Sequence, residues 1–243
     1  MLSYSSPQFA LRTLLKHPGK LITWEGLDGS GKSTQLALEA ERLRGKGFRV
    51  TTTREPGGTA VGQQVREIVL HEPRGSVAPL TELALMFAAR AQHIEQVILP
   101  ALGAGDVILC DRFTDSSVAY QGYGRGIPLE VIRGLENFLC QGVRPDLTVI
   151  LEIDPETGAR RSGQRNRAAA EPDTRFEQEG TEFFERVRQG YREIARQEPA
   201  RVRLVDGRGS IAEVHERVRQ TVDEFLRTVG IIPSEPRPSE PRP

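Results

Sequence analysis

Eight residues, Gly26-Leu27-Asp28-Gly29-Ser30-Gly31-Lys32-Ser33, follow the pattern G-x-x-x-x-G-K-S and constrain the chain more than any other segment. The apolar run Leu21–Trp24 before them reads as a buried strand, and Thr34 to Arg44 after them reads as a helix. A strand, a glycine loop and a helix in that order commit the chain to α/β packing. They also dictate chemistry. Glycines let successive N–H groups curl around phosphate oxygens, and the helix that follows presents its positive end to them. Gly26, Asp28, Gly29, Ser30, Gly31, Lys32, Ser33 and Thr34 are therefore expected to bind a nucleoside triphosphate. Lys32 would reach the β- and γ-phosphates, and the Ser33 hydroxyl would take one position on Mg²⁺.

Strand and helix signals alternate through the rest of the chain. Phe48–Thr53, Asp106–Cys110, Leu147–Ile153 and Val202–Val205 read as further strands. Thr59–His71, Leu80–Leu102 with an interruption at Pro100, Pro128–Leu139 and Ile211–Val229 read as helices. Continuous apolar strands separated by helices predict a parallel sheet covered on both faces. Ligands then gather at the carboxyl ends of the strands.

Composition narrows the function. Lys and Arg number 33, as do Asp and Glu, so no global basic field points to a nucleic-acid partner. No apolar run nears the ~20 residues that span a bilayer, and no membrane association is expected. Cys110 and Cys140 sit in apolar surroundings without metal-ligand spacing, which suits reduced thiols in a cytoplasmic protein. Residues 1–19 read as a polar extension, 20–230 as the folded domain and 231–243 as a disordered, Pro-rich tail of repeated PSEPRP type.

The loops after the strands carry charge. Arg54 and Glu55 follow the second strand, Asp111 and Arg112 the third, and Asp154 and an Arg-dense stretch (Arg160, Arg161, Arg165, Arg167, Arg175) the fourth. Asp111 stands where a carboxylate would hold the Mg²⁺ hydration shell. Arg112 would then grip a second anion, because a guanidinium can bind phosphate through two N–H groups. Two phosphate grips predict a phosphoryl transferase. A GTPase would need an N-K-x-D segment after a later strand, and none is present.

These residues resemble the thymidylate kinase family of nucleoside monophosphate kinases. The resemblance rests on EGLDGSGKST (Glu25–Thr34), TREPGGT (Thr53–Thr59), MFAARAQH (Met86–His93), DRFTDSSVAYQGYGRG (Asp111–Gly126), RPDLT (Arg144–Thr148) and RFEQE (Arg175–Glu179). It implies a five-stranded parallel sheet with a mobile lid at about 160–176, phosphoryl transfer from ATP to dTMP with Mg²⁺, and a homodimer. By the same resemblance Asp28 accepts from the deoxyribose 3′-hydroxyl, while Arg54, Arg66 and Arg112 serve the acceptor phosphate. Glu55 joins the substrate site, Phe87 stacks on thymine, Arg90 and Gln121 contact the base, and Tyr120 crowds the sugar 2′ position. Lys32, Arg112, Asp111 and the lid residue Arg165 are the expected catalytic group. Relatives place the stacking Phe four residues before the Arg, where this chain has Met86; Phe87 is preferred, on the same helix face. Another nucleoside monophosphate kinase or a deoxynucleoside kinase is the alternative, the latter requiring a carboxylate base for which Glu25 is the available position.

Overall fold

The computed structural model describes residues 17–231 apart from 74, 169–174 and 177–178, and for 165–168 the backbone alone. Most of the extension and nearly all of the Pro-rich tail thus lie outside the described residues, as does part of the lid. Five strands, β1 (Lys20–Glu25), β2 (Val50–Arg54), β3 (Val107–Asp111), β4 (Leu147–Glu152) and β5 (Val202–Asp206), form one parallel sheet in the order β2-β3-β1-β4-β5. The helices are α1 (Lys32–Gly45), α2 (Ala60–His71), α3 (Pro79–His93), α4 (Leu99–Gly103), α5 (Thr114–Ser117), α6 (Leu129–Leu139), α7 (Pro155–Ala168), α8 (Thr181–Gln197) and α9 (Ile211–Thr228). Five strands and their order of appearance match the reading of the sequence.

Alternation along each strand builds two cores. Ile22 and Trp24 of β1 face Leu36 and Leu43 of α1 and Val218 and Val222 of α9. Leu21 of β1 and Ile108 and Cys110 of β3 face the opposite way, against Leu83, Phe87, Ile94 and Ile98. The remainder of that second face is covered by α8, whose Phe183, Val187, Tyr191 and Ile194 are buried.

Three local details differ from expectation. The long helix is interrupted at Ile94–Ile98, one turn of π-helix, ahead of Pro100 and not at it. Pro100 has no N–H to return to the preceding turn, so the ladder is disturbed upstream of the ring. Pro128 is the residue before the first turn of α6 and not its first member. Thr59 likewise stands outside α2, where its hydroxyl accepts from the Gly62 N–H.

The short α5 is fixed to the sheet by buried charge. Both Arg201 terminal nitrogens donate to Asp115, at 2.7 and 2.9 Å, and one also donates to Thr148. Thr148 Oγ1 donates to Asp115 and exchanges a bond with Thr23 of β1. Arg201 also pairs with Glu198 at 3.0 Å, so it is removal of Arg201 that leaves a buried charge, on Asp115, without its counterion. We expect Arg201→Met to lower stability by about 3 kcal/mol in denaturant unfolding, with Asp115→Leu/Arg201→Met recovering most of it. Equal losses in the single and double variants would show that charge pairing is not what holds α5.

Candidate active site

Sheet register brings the site together. Trp24 of β1 lies beside Asp111 of β3, so the glycine loop after β1 and the Asp111-Arg112 pair after β3 emerge next to each other. Gly29 has φ of +77°, and a Cβ placed there would fall on the Gly158 carbonyl of α7. Only glycine allows the loop to adopt that turn and α7 to lie against it. Gly31, also at positive φ, precedes α1, whose first N–H groups open toward the loop.

Lys32 is buried. Its ammonium donates to the Leu27 carbonyl at 2.9 Å and lies 4.0 Å from Asp28. Burial, reinforced by the nearby Arg112 charge, brings its pKa down to about 8. Ser33 Oγ donates to Asp111 Oδ2 at 2.6 Å, joining the two residues expected to serve the metal. Both are hard oxygen donors. Among the described residues no group of three or more His, Cys, Asp or Glu could hold an ion. A cation here would draw most of its ligands from phosphate and water, the coordination that Mg²⁺ favours.

Arg112 adopts φ of +70°, in the left-handed region that non-glycine residues rarely occupy. That turn lays its guanidinium across the sheet edge. Nη2 donates to Asp28 Oδ1 at 2.6 Å and to Tyr120 OH at 3.2 Å; Nη1 donates to the Gly26 carbonyl, Ser116 Oγ and Tyr191 OH. Burial opposes its charge, but Tyr120, Asp28, Tyr191 and Glu25 outweigh burial and hold its pKa well above the usual value.

Glu25 lies beneath this group. One carboxylate oxygen accepts from the Phe113 and Ser116 N–H groups, the other from Ser116 Oγ and Tyr191 OH. Burial, opposed by Arg112, brings its pKa up to about 7. Glu25 is fully enclosed and does not line the cavity, so it is not placed as a base toward an acceptor hydroxyl.

A cavity opens beside Arg112. Polar Asp28, Glu55, Arg66, Arg112, Ser116, Tyr120 and Gln121 line it together with apolar Pro56, Val69, Leu70, Met86 and Phe176. The cavity thus unites six of the expected acceptor-site residues, Asp28, Glu55, Arg66, Arg112, Tyr120 and Gln121, and adds Met86 where Phe87 was expected.

Corrections follow. Phe87 is fully buried in the sheet core and does not line the cavity, because the helix turn that exposes Met86 points its neighbour at Leu21 and Leu83. Arg90 is buried behind the wall, donating to Glu55 at 2.7 Å, to Ser117 Oγ and to the Phe113 carbonyl, with its guanidinium over the Phe87 ring. Arg54 is exposed and does not line the cavity. Asp154 caps α7 through the Thr157 N–H. Arg175 is not a lid cation: it is 3% exposed and pairs with Glu82 at 2.7 Å. The backbone at Arg165 continues α7, and its side chain lies outside the description. Arg161 is the described arginine of α7 that lies against Gly29 and donates to the Gly207 carbonyl.

Sequence reasoning missed Tyr191, Ser116, Phe176 and Glu82. The spacing Phe183, Val187, Tyr191, Ile194 carries a helical signal that would have found α8 and with it Tyr191.

Comparison with known proteins agrees with this geometry. Residues 24–218 match the family model described as thymidylate kinase. The thymidylate kinase of Methylococcus capsulatus is 49% identical over 209 residues, covering 86% of this chain and 97% of that protein. That of Pelobacter propionicus is 47% identical over 201 residues, covering 82% and 92%. The crystal structure of thymidylate kinase from Ehrlichia chaffeensis superposes with a TM-score of 0.67 at 33% identity, covering 84% of this chain and 98% of that one.

The depressed Lys32 pKa has a measurable consequence. Free Lys32 is largely neutral above pH 8, and a polyphosphate placed against it restores the proton. At pH 8.5, triphosphate binding is expected to take up a measurable fraction of a proton, read from calorimetric enthalpies in buffers of different ionisation heat. Uptake should vanish in Lys32→Met, and its absence from the wild type would contradict the assignment.

Proposed function

The chain belongs to the thymidylate kinase family, and we infer that it transfers the γ-phosphoryl group of ATP to dTMP, giving ADP and dTDP. The observation that carries this reading is the Arg112–Asp28 contact at 2.6 Å, where the triphosphate loop meets the acceptor cavity. A phosphoryl donor and a phosphorylated acceptor held on the two sides of that junction would be aligned for in-line transfer.

The residues suit the reaction. A phosphate oxygen of dTMP is already a nucleophile at neutral pH, so no general base is needed. This agrees with Glu25 being enclosed, and it disfavours a deoxynucleoside acceptor. Lys32 and Arg112 neutralise charge on the transferred group from opposite sides, in a setting too dry to screen them. Mg²⁺, when bound at Ser33 and Asp111 with the nucleotide, would add further charge neutralisation. Arg161, and Arg165 on the same helix, are the candidate donors from α7.

On the acceptor side, Arg66 and Arg112 would hold the monophosphate, and Asp28 would accept from the 3′-hydroxyl. The Tyr120 ring, fixed by Arg112 and edge-on to Phe176 at 5.6 Å, narrows the space beside the sugar and favours deoxyribose. Met86 and Phe176 would flank the base. Gln121 would read it, since its buried Oε1 has no hydrogen-bond partner and needs a donor. We also propose a cytoplasmic homodimer. Val61 and Ile68 of α2 and Leu80 at the start of α3 are exposed on elements that pack together, whereas the rest of the α3 stripe is consumed by the core.

A coupled ADP-release assay over dTMP, dUMP, UMP, AMP and thymidine is expected to show dTMP as the preferred acceptor. Preference for AMP or thymidine would remove the assignment. Arg112→Ala should lower kcat about 10³-fold or more while ATP still binds; a near-normal rate would contradict Arg112 as the acceptor-phosphate anchor.

A further inference from the structure

Glu82, in the first turn of α3, is wholly buried and does not line the cavity. Its Oε2 forms an ion pair with Arg175 Nη1 at 2.7 Å and accepts from Arg125 Nη2 at 3.1 Å. Its Oε1 accepts from Gln121 Nε2 at 2.8 Å and from Arg125 Nε at 3.3 Å. Arg125 is held in turn by Glu179 at 2.5 Å, and Arg175 by the carbonyls of Val69 and Val77. The two guanidinium groups therefore fix where the carboxylate sits.

A carboxylate only accepts hydrogen bonds. The Gln121 amide facing it must donate, which forces Nε2 toward Glu82 and leaves Oε1 as the group available to the cavity. That oxygen is buried and without a partner. Its complement is an N–H on the ligand. The imide N3–H of thymine supplies one, whereas N3 of cytosine presents a lone pair, which would oppose another. Resting on the reading of this cavity as the dTMP site, we propose that Glu82 is a positioning residue for base choice. It sets the amide of Gln121 so that the site accepts thymine-type bases and rejects cytosine.

The effect of neutralising Glu82 follows from the same geometry. In Glu82→Gln the new carbonyl oxygen stays where Arg125 and Arg175 converge, and the new NH₂ takes the place of Oε1. It then donates toward Gln121, whose amide must turn over and offer its own NH₂ to the base. A donor there suits cytosine N3 and clashes with thymine N3–H. Sites that pair a buried polar group with the substrate discriminate strongly when the pairing is lost.

The test compares kcat/KM for dTMP and dCMP. Glu82→Gln is expected to lower the dTMP:dCMP ratio at least about tenfold. Glu82→Asp, still an acceptor only, should keep the ratio even if both rates fall. In a Gln121→Met background Glu82→Gln should leave the ratio unmoved, since the group it acts through is gone. A ratio unchanged in Glu82→Gln, with both rates lowered equally, would make Glu82 a merely structural residue. If that variant fails to fold, the wild type decides by NMR. Side-chain amide protons of Gln121, assigned by their loss in Gln121→Met, should exchange slowly in the free enzyme; exchange at the rate of an exposed amide would overturn the proposal. Absence of dTMP turnover in the wild type would instead defeat the reading of the site itself.

Discussion

Arg112 meets Gly26, 86 residues away in sequence, because β3 lies directly beside β1. The rest of the site depends on that adjacency. The sheet alone does not complete it. An ordinary backbone conformation at Arg112 would send the side chain away from the loop, and the left-handed turn there carries a strain of roughly 1–3 kcal/mol. The Arg112 N–H bond to the Trp24 carbonyl and the guanidinium contacts to Asp28, Tyr120, Tyr191 and Ser116 offset it. Beneath them, Glu25 ties the start of α5 and Tyr191 of α8 to the end of β1. Strand order, backbone strain and a buried carboxylate together place one guanidinium.

Burial then sets the electrostatic character. Glu25 is driven up toward neutrality and Lys32 down toward it, both principally through loss of water. Arg112 keeps its charge. An anion placed against such a site would favour the charged form of Lys32 and offset the cost of its burial. Because the donors are already oriented by backbone carbonyls and by Asp28, little reorganisation remains for the reacting complex. That is the condition under which fixed charges stabilise a transferring phosphoryl group most effectively.

How much of this was legible depended on how local the signal was. The glycine loop, the five strands and the charged residues after them announce themselves through short-range pattern, and Lys32, Ser33, Asp111 and Arg112 fell where that pattern placed them. Phe87 did not. Met86 and Phe87 are adjacent, so spacing cannot say which faces the cavity and which the core; only the rotation of α3 against β1 decides it. Arg175 misled for a related reason. An arginine near the lid looks solvent-facing, and its burial reflects pairing with Glu82, which lies too far away in sequence for a local pattern to reveal it. Helix α8 was overlooked because its polar majority masked a narrow apolar stripe, although that stripe had helical spacing.

The Glu82 cluster also bears on why ionic groups sit in the interior at all. Burying a carboxylate between two guanidinium groups costs desolvation that the ion pairs barely recover, and apolar residues of similar volume are often as stable. Stability therefore gives little reason for Glu82. An apolar side chain there would leave Gln121 free to turn, and the proposed base choice would lose the fixed acceptor it depends on. The same cluster places Arg175 beside Phe176, whose ring lines the cavity, while the Arg175 N–H is bonded to the Leu70 carbonyl at the end of α2. The carboxylate that accepts from Gln121 thus also pairs with Arg175, next to the Phe176 ring that lines the pocket. Read this way, the cluster's contribution is to geometry and selectivity, and the stability of the fold rests on the two apolar faces of the sheet.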